Sequence, residues 1–222
     1  MKPKYYEAYE ERYKEIHKRG VSWSSNIATP IVLDVIKRFS IKKEDSILEI
    51  GCGEGRDAKA VLEAGYNLLA TDISNEAIKY CRDIMPNYES HFMCLDCLKD
   101  ELEKKFKFIY AVAVIHMLVL NEDRNRFYEF IHNHLDNNGV ALICSMGDGE
   151  TEIKSDINQA FDIQNRVHET GDIMVAATSC RMVSFPTFEN EIKLAGLEII
   201  EKGITESLPD FNNLMYAIVK RK

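Results

Sequence analysis

The sequence predicts an α/β protein built on a mostly parallel sheet. Three observations carry that prediction. Apolar, β-rich runs alternate with amphipathic helical segments between residues 46 and 145. Three alternating glycines, Gly51, Gly53 and Gly55, follow directly on the apolar run Ile47-Leu48-Glu49-Ile50. An acid, Asp72, closes the next apolar run, 21 residues after the first glycine. Glycine lets a backbone turn sharply and approach a ligand closely, because no Cβ intervenes. An acid at the tip of the second strand can accept hydrogen bonds from both hydroxyls of a ribose. Together these features are the layout of a nucleotide pocket at the carboxyl edge of a parallel sheet.

Each element follows from local chemistry. Residues 5–19 read as an amphipathic helix with Tyr5, Tyr9, Tyr13 and Ile16 on one face. The loop 20–26 follows. Thr29 suits the N-cap and Pro30 the first turn of a second helix, whose apolar face is Val32, Leu33, Ile36 and Phe39. The alternating core then runs strand 46–50, helix 56–64 stopped by Gly65, strand 67–71, and a helix capped by Ser74 with Ile78, Cys81 and Met85 inward. Strand 91–94 and a short helix over 98–103 come next. Strand 108–114 is continuously β-rich, as a strand buried on both faces would be. Helix 122–134 turns Phe127, Phe130 and Ile131 inward, Asn137-Asn138-Gly139 makes a turn, and strand 140–145 closes the core.

Residues 147–186 are polar and weakly periodic, far longer than the usual connection of about 4–6 residues. They read as a cap over the carboxyl edge, with a helix over 157–167 and a strand or loop over 173–183. Helix 187–195 ends at Gly196, and segments 197–204 and 213–220 form a hairpin-like pair. The expected organisation is one domain over 1–222: N-terminal helices 1–40, core 41–146, cap 147–186, and C-terminal helix and strand pair 187–222.

Composition bounds the partners. The chain has 222 residues, with 28 Lys and Arg against 36 Asp and Glu, a net charge of −8. That balance disfavours a nucleic-acid partner, which needs a basic face. The segment Met1-Lys2-Pro3-Lys4-Tyr5 lacks the apolar stretch of a signal peptide, and no apolar run approaches a membrane span. Six cysteines scattered through apolar stretches suit reduced thiols in a cytoplasm. No metal is expected. Cys94-x-x-Cys97 has no second pair, His132 and His134 do not share a helix face, and His168-Glu169 is not an H-E-x-x-H.

The glycine spacing narrows the ligand. Dinucleotide sites want G-x-G-x-x-G/A, and Arg56 occupies the third small position here. Glu49-x-Gly51-x-Gly53-x-Gly55, with a strand before it, a helix after it and Asp72 beyond, resembles the class I S-adenosylmethionine (SAM)-dependent methyltransferases, of the small-molecule type. The resemblance runs from about Ile36 to the C-terminus, apart from the cap. It implies a Rossmann-like three-layer sandwich with seven strands, the last antiparallel. It implies SAM as cofactor and S-adenosylhomocysteine (SAH) as product. Size and the loop before the core are also similar to small methyltransferases such as the tellurite-resistance and thiopurine types, which names no substrate.

Carried onto this chain, the resemblance gives residues roles. Gly51, Cys52, Gly53 and Gly55 bring the backbone, and a helix N-terminus suited to a carboxylate, up to the amino-acid tail of SAM. Glu49 holds the ammonium end, or else caps strand N–H groups. Asp72, with Ile73 beside it, takes the ribose, although an acid there can also precede a helix as a cap. Asp96 and the N–H of Cys97 meet the adenine, unless Asp96 only makes a turn. Carbonyls of Val112 and Ala113 accept from the ammonium. Lys107 stands where the family often has Asp, remote from the chemistry.

The implied reaction is in-line displacement at the sulfonium methyl, in which alignment contributes on the order of 7–11 kcal/mol. His116 is the candidate general base, if the acceptor starts protonated; a histidine merely packed beside the pocket explains it equally. Trp23 and a nearby tyrosine can cover the pocket and contact the sulfonium by cation–π attraction, unless Trp23 is a plain hydrophobic anchor, and Tyr13 can contact the acceptor. Arg166, His168 and Arg181 can bind an anionic acceptor, or pair with surface acids. The acceptor would be a small molecule lying between the N-terminal helix with its Trp23 loop and the cap, in a monomer or homodimer. Two rival functions use the same sheet: a non-catalytic SAM sensor, and a nicotinamide oxidoreductase, against which Arg56 speaks.

Overall fold

A computed structural model describes residues 3–168, 170–205 and 213–222. Met1, Lys2 and Glu169, on which two of the sequence arguments touch, lie outside the described residues. A 3-10 turn, Tyr5–Glu7, leads into α1 (Ala8–Lys18), followed by α2 (Pro30–Arg38), β1 (Ser46–Ile50), α3 (Arg56–Glu63), β2 (Asn67–Asp72), α4 (Asn75–Ile84) and β3 (Phe92–Cys94). Then come β4 (Phe106–Val112), α5 (Asn121–His134), β5 (Leu135–Met146), β6 (Ile153–Lys154), β7 (Ile163–His168), β8 (Gly171–Ala176), β9 (Arg181–Met182), α6 (Phe185–Leu194), β10 (Leu197–Thr205) and β11 (Leu214–Arg221).

Seven strands form one sheet in the order β10-β11-β5-β4-β1-β2-β3. β1 runs parallel to β2 and β4, β4 parallel to β5, and β2 parallel to β3. β11 is antiparallel to both its neighbours, β5 and β10. The chain order reverses between β1 and β4, which opens a crevice beyond their carboxyl ends.

Alternation along the strands feeds two cores. Ile47, Leu68, Phe108 and Tyr110 pack with Val32, Ile36, Val61 and Ile78 of α2, α3 and α4 on one face. Leu48, Ile50 and Ile109 pack with Phe127, Ile131, Phe188 and Ile192 of α5 and α6 on the other. The result is the expected three-layer sandwich. Ser74 caps α4 as anticipated, its Oγ accepting from Ala77 N at 3.0 Å. Thr29 precedes α2 as anticipated but does not cap it with its side chain; its N–H and Oγ1 donate to Asp57 instead, at 2.6 and 2.9 Å.

Four expectations are corrected. The helix over 98–103 is a single turn, Lys99 and Asp100 N–H donating to Asp96 O, too short to propagate before β4 begins. The fourth strand ends at Val112 rather than 114, because Ala113 turns left-handed (φ 58°) while its N–H donates to Cys144 O. The turn at 137–139 sits inside one long extended segment, where the β4–β5 register jumps from Phe106↔Leu135 to Phe108↔Val140. A Cβ on Gly139 would lie 2.9 Å from Lys107 O, so only glycine permits that approach.

The fourth correction concerns the cap. The helix expected over 157–167 is a short 3-10 turn, Ile157–Gln159, followed by the antiparallel hairpin β7–β8. Ile173 and Val175 of β8 bury against Ile16 of α1, and that packing selects the strand. β6 and β9 pair separately at the base of the cap.

Candidate functional site

The site grows from the end of β1. Beyond Ile50 the backbone turns left-handed at Gly51 (φ 71°), Gly53 (φ 52°) and Gly55 (φ 79°), and α3 starts at Arg56. A Cβ on Gly51 would stand 2.4 Å from Val114 Cγ2. Gly51→Ala therefore combines a left-handed alanine with overpacking. It should destabilise the protein by about 2–4 kcal/mol, read as a lowered melting temperature. Gly55 does different work: a Cβ there would meet Met85 Cε at 2.6 Å and Cys81 Sγ at 2.9 Å, so it makes room for α4 and does not line the cleft.

A cleft of about 490 Å³ opens over this loop, floored by Glu49, Gly51, Cys52 and Gly53 and walled by Val112, Ala113 and His116. Trp23, Arg12 and Tyr13 come to it from the N-terminal segment, and Arg166 and Thr178 from the cap. A narrower slot of about 80 Å³ adjoins it, lined by Asp72, Ile73, Asp96, Cys97 and the apolar Leu95 and Leu98. Gly51 and Tyr13 border both.

Asp72 is buried at the slot and clamps the glycine loop: Gly53 N–H donates to its Oδ2 and Ser74 N–H to its Oδ1, both at 2.8 Å. Burial pushes its carboxyl up, against the pull of those two bonds. Glu49 is also buried, and Tyr110 Oη donates to its Oε2 at 2.9 Å. Burial first, then the charge of Asp57, raises the Glu49 carboxyl well above the usual range. A cation placed in the cleft would relieve both strains.

A test follows from that asymmetry. The native state holds the Glu49 proton more tightly than the unfolded chain does. Its contribution to stability is therefore present below the unfolded value near 4.5 and lost as pH rises through the higher native value. Glu49→Gln keeps an acceptor for Tyr110 and removes the buried charge. Its melting temperature should match or exceed that of the native protein at pH 7, with the gap widening as pH rises, while affinity for a cationic amine ligand falls about tenfold or more.

Asp96 accepts from Leu98 N–H at 3.0 Å, and Lys99 Nζ lies 2.7 Å from its Oδ2, so it shapes the turn while bordering the slot. Trp23 reaches the cleft, but its ring lies against the Arg12 guanidinium (4.5 Å) and stacks on His168 (6.1 Å). The Tyr13 phenol is buried and held protonated, by burial first and then by the charges of Asp72 and Glu54.

Two candidate residues stand in surroundings unlike those expected for their roles. His116 lies in the cleft wall, 3 % exposed, with Nδ1 lacking a hydrogen-bond partner. Burial, reinforced by the Arg124 charge, pushes its imidazole down to about 3, so it is neutral at pH 7 and too weak a base for proton removal near neutrality. Arg181 lies outside the cleft. Its Nη1 donates to Val119 O and Asn121 Oδ1 at 2.8 and 2.6 Å, beside the β6–β9 pair.

Three residues that sequence reasoning missed organise the site. Glu54, buried in the glycine loop, accepts from Trp23 N–H, Ser24 N–H and Ser24 Oγ at 2.8–3.0 Å and meets His17 Nε2 at 2.9 Å, tying the Trp23 loop to the cleft floor. Asp57 holds Thr29. Arg12 ties α1 to the cap. Asp57, in the first turn of α3, carried the one sequence signal, and its partner Thr29 lies 28 residues upstream.

With the geometry in hand, comparison locates the chain among known proteins. Residues 48–141 match a family described as a methyltransferase domain. No curated protein matches the sequence. Among solved structures, the chain is similar to the Burkholderia thailandensis 1,6-didemethyltoxoflavin-N1-methyltransferase (TM-score 0.73, 14 % identity, covering 100 % of this chain and 92 % of that one). It is similar to the CcbJ methyltransferase of Streptomyces caelestis (0.69, 14 %, 96 % and 98 %). It is also similar to an S-adenosylmethionine-dependent methyltransferase of Clostridium acetobutylicum (0.65, 15 %, 94 % and 96 %). At these identities the likeness speaks to the fold, and the family match to the segment carrying the glycine loop, Asp72 and Asp96. Residues 48–141 thus match a methyltransferase domain, and the chain has the Rossmann-like fold seen in SAM-dependent methyltransferases of known structure.

Proposed function

We propose that this protein is an enzyme that transfers a methyl group from SAM to a small-molecule acceptor. One observation carries the reading: the glycine loop and buried Glu49 line a cleft, and buried Asp72 the slot that adjoins it through Gly51, where strand order reverses. The donor set fits the cofactor's chemistry. Glu49 offers a buried carboxylate to an ammonium, with the Val112 and Ala113 carbonyls beside it. The N–H groups of Cys52, Gly53 and Gly55 already donate to Thr71 O, Asp72 Oδ2 and Cys52 O, so it is the start of α3 that is offered to a carboxylate. Asp72 retains accepting capacity for ribose hydroxyls beyond its two backbone bonds. Asp96, Cys97 and the apolar slot suit an adenine.

When bound, SAM supplies a methyl group already activated by its positive sulfur. The chain's own task is alignment and exclusion of water. Tyr13, Trp23 and the β7–β8 hairpin close over the cleft from above. His116 lines the cleft as a neutral ring whose unpartnered Nδ1 is itself sealed from solvent, so it shapes the wall without taking a proton. Small acceptors are supported by the neighbour crystallised with bound 1,6-didemethyltoxoflavin and S-adenosylhomocysteine. The test is label transfer. Purified protein, methyl-labelled SAM and a cell extract are incubated, and the extract is fractionated. Label in the low-mass fraction is expected; label confined to protein or nucleic acid would overturn the small-molecule acceptor.

A further inference from the structure

The cleft is electrically two-sided. Its floor is net acidic, with Glu49, Glu54 and Asp57 against Arg56, whose Nη2 lies 3.4 Å from Asp57 Oδ2. Its roof carries two guanidiniums. Arg12 is 3 % exposed, and its Nε and Nη2 donate only to neutral oxygens: Ala176 O (3.2 and 2.7 Å), Ala177 O (2.8 Å) and Thr178 Oγ1 (3.0 Å). Its planar face lies on the rings of Tyr9 (4.8 Å) and Trp23 (4.5 Å). Arg166 Nη2 reaches the same Ala177 carbonyl at 3.4 Å from β7. Two cations thus converge on one carbonyl oxygen. Among the described residues no carboxylate pairs with Arg12, and the formal charge acting on it is the like charge of Arg166. A buried cation with no counter-charge is costly, and an anionic ligand would supply the missing partner.

We propose that Arg12, assisted by Arg166, is the anion-binding element of the acceptor subsite, so that the methyl acceptor carries a carboxylate or a comparably compact anionic group. This rests on the methyl-transfer reading above. The acidic floor matches a cationic donor and the basic roof an anionic acceptor. The four bonds to the cap leave Arg12 Nη1 out of the strut, on a side chain that lines the cleft. The SAM carboxylate is a second possible source of the same chemistry, and the experiment separates the two.

Trp23 is the chain's single tryptophan and touches the Arg12 guanidinium, so its fluorescence reports on this subsite. Protein saturated with SAH is titrated with benzoate and, in parallel, with benzamide, its neutral counterpart. A saturable benzoate response is expected, with benzamide about tenfold weaker or worse, the worth of one charge-assisted contact. Arg166→Gln, on an exposed strand where folding is not at risk, should weaken benzoate several-fold; Arg12→Gln should abolish the response. SAH affinity, measured alongside by calorimetry, should hold in both variants. Equal responses to benzoate and benzamide, no saturable response to benzoate, or benzoate binding that survives in Arg12→Gln would overturn the proposal. So would a drop in SAH affinity in Arg12→Gln as large as the drop for benzoate, because Arg12 would then hold the donor's carboxylate. Failure of the unaltered protein to bind SAH at all would instead strike the methyl-transfer reading, with benzoate then titrated against the protein alone.

Discussion

Asp72→Ala is expected to weaken SAH binding about a hundredfold or more, because a carboxylate serving two hydroxyls contributes about 1.5–3 kcal/mol through each charge-assisted bond. The same substitution frees Gly53 N–H and Ser74 N–H, which now hold the glycine loop against β2. Part of the loss would therefore come from a loosened loop. Asp72→Asn separates the contributions. It is nearly isosteric and keeps one accepting oxygen, so its melting temperature should stay close to that of the native protein while SAH affinity falls by an intermediate amount. Equal affinity in Asp72→Asn and the native protein would show that the charge contributes nothing to the ligand. Calorimetry with SAH, paired with thermal melts, reads both quantities.

The largest effect on stability is expected at Glu191. Arg124 is fully buried on α5, and its Nε and Nη2 donate to Glu191 of α6 at 2.7 and 2.6 Å. Its Nη1 donates to Ile115 O and Leu118 O, holding the loop that carries His116. Tyr128 Oη adds a third donor to Glu191 at 3.1 Å. Glu191→Ala leaves a buried guanidinium without its counter-charge and should cost about 3–5 kcal/mol. For a chain of this size that is a fall in melting temperature of about 10 °C. Removing both charges, as in Arg124→Met with Glu191→Leu, should recover much of the loss, since replacing a buried pair by apolar groups is often neutral or better. The double variant would still lack the Nη1 bonds to Ile115 and Leu118, so methyl transfer should remain impaired even where stability returns. A double variant as unstable as Glu191→Ala would show that burying the pair is not the source of the cost.

Much of the central architecture was legible in the sequence because it is local. β1 has the limits that its apolar run suggests, Ser74 caps α4 with its own hydroxyl, and the alternating glycines adopt the left-handed backbone that only glycine takes readily. What could not be read is what distant partners decide. Asn165 and Val167 stand in a strand because β8 pairs with them and buries Ile173 and Val175 against Ile16. Ala113 ends its strand through a bond to Cys144 on the neighbouring strand. Arg124 falls three and seven residues before the inward Phe127 and Ile131, on the same face of α5, but its partner Glu191 comes from α6, which no local pattern reveals. In the site, the residue types and spacing brought Glu49, Asp72, Asp96 and His116 to one place. They did not reveal that His116 would be stripped of water beside a cation, or that Arg12 would be buried among neutral oxygens. Both are properties of the environment rather than of the residue.

Methyl transfer from SAM by this chain requires a donor pocket formed by the glycine loop, Glu49 and Asp72. Calorimetric titration of the purified, folded protein with SAH tests it most directly. Saturable one-to-one binding is expected, weakened about a hundredfold or more by Asp72→Ala and about tenfold or more by Glu49→Gln. Absence of any heat of binding at millimolar SAH, or binding that both variants leave unchanged, would contradict it.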